Sequence, residues 1–302
     1  MRVHLATKTL TEALGHVERI IPSRSSNPGL SLLRLAFADG QMVLSGSNLD
    51  LDVRAVVEAD VRGEGEIEGS DLAKALDHVR YAAAVADYQA VFRGVRLELH
   101  DGRTRAVATD GFRLASYHAA SSTGLDADLL IPARSVDELV KVLGPGTARL
   151  ALRGNQLTVS NGPFTVNAKL MEGAFPDYER VIPAQFPVKV TLRASALADA
   201  VARVAVMADK SANHRVDLYI KDGVLLITAE GSYGRAQEAI DVLQEGSEAE
   251  IGLAYNAKYL ADAVSPIDGD LQLQLSGTTT PSVATDLGDP AYLAMVVPLR
   301  TG

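Results

Sequence analysis

Three times along the chain, an amphipathic helical stretch is followed by a loop and then by two alternating strands that meet at Asp-Gly. The helical stripes are Leu10, Leu14 and Val17, then Leu72, Leu76 and Val79, then Leu197, Val201 and Val204. Each set places apolar residues at i, i+4 and i+7, one face of a helix. The matching Asp-Gly steps are Asp39-Gly40, Asp101-Gly102 and Asp222-Gly223. Asp-Gly between alternating runs is a strong hairpin signal, because a two-residue hairpin turn needs positive φ. A fold built on this chain must therefore repeat one helix-plus-hairpin unit three times.

The second and third copies carry a further half that the first lacks. In the second, a helix is predicted over Pro132–Leu143, with proline in its first turn, Ser135 and Glu138 as a capping box, and Gly144-Pro145 as its stop. In the third, the matching helix is predicted over Asn256–Val264. Alternating strands follow both, through Leu150, Leu152, Leu157, Val159, Phe164, Val166 and Ala168, and through Leu271, Leu273 and Leu275. The first copy breaks off after Val61 in Arg-Gly-Glu-Gly-Glu. Residues 1–66 thus read as a truncated first domain, 67–185 as a second and 186–302 as a third. Alternation favours antiparallel sheets with one wetted face, and the class expected is α+β with helices on one face of each curved sheet.

Composition narrows the function. At 302 residues the chain can bury a sizeable core, and its 47% hydrophobic and 22% charged content is ordinary for a globular protein. There are no cysteines, which removes disulfides and thiolate metal sites. The N-terminus has no apolar signal-peptide core, and no apolar run is long enough to span a membrane, so a cytoplasmic protein is expected. The net charge of −9 argues against a generic nucleic-acid binder, yet allows a basic stripe on an acidic body.

Catalytic signals are weak. His4, His16, His78, His100, His118 and His214 show no metal-ligand spacing, and His16 and His78, at equivalent repeat positions, read as surface helix residues. Gly63–Gly69 mimics a glycine-rich loop, but three glutamates within it would repel a phosphate. No nucleophile elbow or P-loop is present. No enzyme, cofactor or metal is expected.

The segments Ala108–Ala115 (ATDGFRLA), Lys169–Pro183 (KLMEGAFPDYERVIP) and Met295–Arg300 (MVVPLR), with the spacing among them, resemble the bacterial sliding clamp family, the β subunit of DNA polymerase III. The resemblance covers nearly the whole chain. It implies the DNA clamp fold: repeated domains, each with a curved antiparallel sheet outside and two helices inside. It also implies two subunits joined head to tail in a ring around duplex DNA, tethering the replicative polymerase for processive synthesis.

Two sets of residues follow from the resemblance. Sequence-independent DNA contacts would come first from Arg24 in its loop and Arg134, at positions where the family carries basic residues against DNA, and then from Lys74, Arg80, Lys141, Arg203, Lys210 and Lys258, which the repeated helices carry on the faces away from their apolar stripes. A cleft between the second and third domains would take short peptides with hydrophobic anchors from the polymerase, the clamp loader and repair proteins. Its walls would be Phe92, Thr109, Gly111, Phe112, Arg113, Leu114, Pro176, Arg180, Val181, Ser282, Met295, Val296, Val297, Pro298, Leu299 and Arg300. An adaptable methionine suits a site with many partners. The subunit-joining face of the third domain would lie near Val206 and Met207. The departure from the family is the missing half of the first domain, which in relatives carries much of the opposite joining face. The alternative reading is therefore a monomeric protein that binds clamp-motif peptides without encircling DNA.

Overall fold

The computed structural model describes residues 7–19, 21–23, 27–38, 41–48, 52–58, 63–85 and 90–300. The Asp39-Gly40 turn and Arg24 lie outside them.

The recurring unit is a strand, a helix and three further strands. It occurs twice in the middle of the chain, as β4 (Glu64–Glu68), α2 (Gly69–Arg80), β5 (Gly94–His100), β6 (Arg103–Thr109) and β7 (Arg113–His118), and then as β8 (Ala127–Pro132), α3 (Ala133–Val142), β9 (Thr147–Arg153), β10 (Gln156–Asn161) and β11 (Phe164–Lys169). It occurs twice more as β12 (Val188–Arg193), α4 (Ala194–Val204), β13 (Arg215–Lys221), β14 (Val224–Gly231) and β15 (Gly234–Asp241), and, after a short β16 (Leu243–Gly246), as β17 (Glu250–Asn256), α5 (Ala257–Val264), β18 (Asp270–Leu275), β19 (Ser282–Asp286) and β20 (Tyr292–Val296). The first group holds one helix, α1 (Thr7–Glu18), and a three-stranded sheet of β1 (Arg34–Ala38), β2 (Gln41–Ser47) and β3 (Asp52–Glu58).

Within each complete pair the halves exchange their first strands. β8 pairs with β5, setting Leu129 opposite Leu97, while β4 pairs with β9, setting Ile67 opposite Ala148. In the next pair, β17 lies on β13 with Leu253 opposite Leu218, and β12 lies on β18 with Val190 opposite Leu273. The helices of the two halves pack on each other, α2 on α3 and α4 on α5. Their stripes are fully buried: Leu72, Leu76 and Val79 in one helix, Leu197, Val201 and Val204 in the other. All these strand pairings are antiparallel, and the architecture is α+β as the alternation implied.

The turn chemistry follows the sequence. Asp101 and Gly102 both have positive φ, as do Asp222 and Gly223, the geometry that lets a two-residue turn match strand twist. Asn256 caps α5 by accepting from the backbone N–H of Lys258 and Tyr259. The predicted capping box at Ser135 does not form: α3 starts at Ala133 with Pro132 as its N-cap and no side-chain cap bond. Proline fixes the entry one turn earlier than the box would need, which leaves Ser135 inside the first turn.

One strand pairing sets the site. β20, the last strand, lies beside β7, so the sheets of the second and third groups merge into nine strands in the order β16-β12-β18-β19-β20-β7-β6-β5-β8.

Candidate peptide-binding cleft and basic helix faces

The cleft is organised by the turn between β6 and β7. Thr109 Oγ donates to the Arg113 carbonyl at 2.7 Å and accepts from the Gly111 N–H at 3.1 Å. Asp110 Oδ1 accepts from the N–H groups of Phe112 and Arg113 at 2.9 and 3.0 Å. An Asx-type turn of this kind substitutes for backbone pairing and leaves its tip exposed. Gly111 sits at φ +89°, and a side chain there would point toward the Phe92 ring. Phe112, at the tip, is 58% exposed.

The third group grips this turn from behind. The Val297 N–H donates to the Phe112 carbonyl at 2.9 Å, and the Leu299 N–H to the Ala254 carbonyl at 2.7 Å. Arg113 is buried, with Nε 3.0 Å from Asp110 and Nη1 2.5 Å from Asp262 on α5. Its guanidinium lies over the rings of Tyr81 and Tyr259, at 5.5 and 4.5 Å. Ser282 is buried too, its hydroxyl 2.5 Å from that of Tyr255. Arg113 and Ser282 therefore hold the cleft from beneath.

An apolar cluster spans the joint. Leu114 of β7 lies opposite Met295 of β20, and both pack with Val107, Tyr178 and Val283, flanked by Phe175, Ile182, Phe186 and Leu293. Val296 and Pro298 are buried, while Phe92, Pro176, Val297 and Leu299 are half-buried. Val181 and Arg180 are exposed, and Arg180 pairs with Asp177 at 2.6 Å. Of the sequence-predicted set, Thr109, Gly111–Leu114, Ser282 and Met295–Val297 meet at the joint of β7, β19 and β20, and Arg300 is exposed. Sequence reading missed Val107, Phe175, Tyr178, Val283 and Leu293, which reach the cluster by strand register and by the loop after β11. Tyr178 is anchored by hydrogen-bond contacts of 3.1 Å to both Glu98 oxygens, and burial keeps its hydroxyl protonated well above the usual range.

A concavity of about 640 Å³ lies elsewhere, on the sheet of β4, β9, β10 and β11. Its charges are matched internally, Glu66 with Arg149 at 3.0 Å and Glu64 with Arg153 at 3.6 Å.

The expected DNA-facing cations lie mostly on the helices. Five are held by carboxylates: Lys74 by Asp289, Arg80 by Asp77 and Asp137, Lys141 by Glu138, Arg203 by Glu238, and Lys258 by Asp262. Lys74 is more basic than usual, chiefly through its hydrogen bond to Asp289. Arg134 and Lys210 are exposed and carry no ion pair among the described residues. Arg24 lies outside the described residues. Val206 is 76% exposed just after α4, and Met207 is half-buried.

His78 departs from its expected place on the helix surface. It is half-buried against Tyr117 and Tyr292, with ring centroids 4.8 and 5.8 Å away, and its Nδ1 has no partner. Burial, then the charge of Lys74, lowers its pKa. The i+4 stripe count places His78 at the rim of the apolar face, where Tyr117 of β7 and Tyr292 of the third group pack against it. Among the described residues, no group of three or more His, Asp or Glu side chains could hold a metal ion, and no helix is long and apolar enough to cross a membrane.

Half-repeats that exchange first strands, in two pairs whose sheets merge through β7 and β20, define a DNA clamp-type protein. Family models agree: the N-terminal, central and C-terminal domains of the DNA polymerase III beta subunit match residues 1–70, 66–177 and 179–300. The chain belongs to the DNA polymerase III beta subunit family.

It is 30% identical over 240 residues to a beta sliding clamp of Pseudomonas putida, covering 78% of this chain but 65% of that relative. It is 25% identical to a beta sliding clamp of Streptomyces coelicolor, covering 99% of each. That alignment runs over 378 positions, more than this chain has residues, so the relative carries sequence that this chain lacks. Among solved structures, the Thermotoga maritima DNA polymerase III beta subunit has a TM-score of 0.74 at 26% identity, covering 89% of this chain and 76% of that one. A Pseudomonas aeruginosa DnaN sliding clamp bound to griselimycin has a TM-score of 0.76 at 22% identity, covering 97% and 98%, which supports the fold alone.

Proposed function

We propose that this chain is a sliding-clamp subunit, a non-catalytic processivity factor of the cytoplasm. It tethers a replicative polymerase and other proteins to duplex DNA through the groove between its second and third domains. The observation that carries the reading is the grip of the last strand and tail on the Thr109–Arg113 turn. Exposed Phe112 and Val181 stand over the buried cluster of Leu114 and Met295, an arrangement suited to a short peptide with hydrophobic anchors.

DNA retention in this reading is topological. A ring that encloses duplex needs only weak phosphate contacts, from Arg134 and Lys210 first and from the carboxylate-paired cations as they exchange partners. Acidic pairing on the helices weakens any fixed grip, which favours sliding. Closure through the face near Val206 and Met207 needs a complement for the incomplete first domain. A loading assay with the cognate loader tests this: a closed clamp stays on nicked circular DNA in high salt and runs off when the circle is cut. Equal retention on both DNAs would sink encirclement. Peptide binding without retention on the circle would favour the second reading, a clamp-like peptide binder that does not encircle DNA.

A further inference from the structure

Two aspartates of the third domain hold the joint with the second, and each shares one oxygen between two donors. Asp262 Oδ2 accepts from Arg113 Nη1 at 2.5 Å and from Lys258 Nζ at 2.8 Å. Asp289 Oδ2 accepts from Lys74 Nζ at 2.5 Å and from the Tyr117 hydroxyl at 2.8 Å. In both cases one donor is a residue of β7 and the other is a lysine on a helix. Arg113 and Tyr117 stand at the two ends of the β7–β20 pairing, opposite Val296 and Tyr292.

Only the Arg113 end continues into the cleft turn. Its Nε reaches Asp110 Oδ2 at 3.0 Å, and Asp110 Oδ1 accepts from the N–H groups of Phe112 and Arg113. An unbroken polar chain therefore runs from Phe112 through Asp110, Arg113 and Asp262 to Lys258. Its members differ in freedom. The Arg113 side chain is 6% exposed and cannot change partner without breaking the joint, whereas that of Lys258 is 69% exposed. The bond of Lys258 to Asp262 is an exposed i, i+4 contact along α5, among the weakest kinds of ion pair.

We propose that Asp262 is a positioning residue that couples DNA to the cleft: a phosphate that draws Lys258 away leaves Asp262 to Arg113 alone, and the turn then binds its peptide more tightly. This rests on reading the joint as a peptide cleft and Lys258 as a DNA-facing cation. Two cations on one oxygen repel each other and share its charge, so loss of the ammonium strengthens the bond that remains. The guanidinium, with its rigid fork, then holds Asp110 and Asp262 in one geometry, and the turn has less freedom left to lose when a peptide docks. Linkage makes the effect reciprocal, so a bound peptide strengthens DNA association by the same factor. A clamp built this way holds its partner more firmly on DNA than off it.

A double-mutant cycle on the full chain at low salt tests this, with a fluorescent, anchor-bearing peptide from a replicative polymerase as the probe. Lys258→Met should lower the peptide dissociation constant about twofold, the size an exposed i, i+4 pair allows. Asp262→Asn should raise it about tenfold, and adding Lys258→Met to Asp262→Asn should then change nothing. Lys221→Met, which removes an exposed lysine paired with Glu250 at 2.9 Å on the sheet of β13 and β17, should leave the constant unchanged. A saturating linear duplex, its binding followed by the anisotropy of a label, should reproduce the gain in the unmodified protein and give none in Lys258→Met. Lys258 is exposed, so its variant keeps the fold and its titration decides even where Asp262→Asn is unstable. An unchanged constant in Lys258→Met, a gain that persists beside Asp262→Asn, or a bound duplex without effect would overturn the coupling and leave the cleft standing. No binding of peptide or duplex by the unmodified protein would remove the underlying reading and the coupling with it.

Discussion

Arg113 of β7, itself buried, and half-buried Asp262 of α5 form an ion pair at 2.5 Å across the joint between the second and third domains. The pair sits directly behind the turn that presents Phe112, because Asp110 of that turn holds the other edge of the same guanidinium at 3.0 Å. One side chain thus ties the Thr109–Arg113 turn to α5 across the joint.

Replacing Arg113 with Met should therefore destabilise the joint. Two carboxylates lose their buried cation, and breaking such a pair typically costs about 3–5 kcal/mol. Asp110 keeps its two backbone donors and Asp262 keeps Lys258, so the low end, about 3 kcal/mol, is expected. Scanning calorimetry reads this, and a change below about 1 kcal/mol would contradict it. Arg113→Lys should recover only part, because an ammonium cannot reproduce the fork or lie flat between two rings.

Phe112→Ala separates binding from stability. The ring is mostly exposed, so the melting temperature should barely move, while affinity for a clamp-type peptide should fall at least about tenfold if the ring is an anchor. Equal affinity by fluorescence polarisation would contradict a binding role for the ring.

Gly111→Ala tests the turn. At φ +89° a Cβ costs about 1–2 kcal/mol, and it points toward Phe92. A loss of about 1 kcal/mol in chemical unfolding is expected, together with weaker peptide binding.

The basic residues divide into two kinds. Arg134→Gln and Lys210→Gln should each lower the salt dependence of DNA association by about one charge, read as the slope of log affinity against log salt. Arg203→Gln should change it less, because Glu238 already neutralises that guanidinium through two hydrogen bonds of 2.6 and 2.8 Å. Equal slopes for all three would contradict the division.

Acid should weaken the fold through His78. Its pKa is lowered in the folded protein by burial and Lys74, so the unfolded chain binds the proton more readily. The contribution is complete above the ordinary histidine value of 6.5 and is lost as pH falls below it. His118, lowered by burial and Arg105, acts in the same direction. His100, raised by Asp126 and Asp128, acts oppositely but is exposed. Stability measured at about pH 5 and pH 7 should differ less in His78→Gln than in the unmodified protein.

The repeated helix-and-hairpin grammar was legible because leucine stripes and Asp-Gly turns are local signals. The exchange of first strands was not. Alternation says that β4 and β8 are strands, but not that each joins the sheet of the other half. The three family-like segments meet in one apolar cluster, yet Arg113 reads from sequence as a cleft wall because its partner Asp262 is 149 residues away. The helix cations were visible and their carboxylate partners were not, since Lys74 meets Asp289 across 215 residues. His78 shares its repeat position with His16, and only the closing of the third domain over α2 distinguishes them.

The most direct test of the account is a titration of the full chain with a short, anchor-bearing peptide from a replicative polymerase, repeated on the double variant Phe112→Asp, Val181→Asp, which changes two exposed side chains of the proposed cleft. The account expects one peptide per chain in the micromolar range, with binding abolished in the variant and a circular dichroism spectrum that stays folded. No binding by the unmodified protein, or equal binding by the variant, would contradict the cleft and with it the proposal that this chain works as a tether.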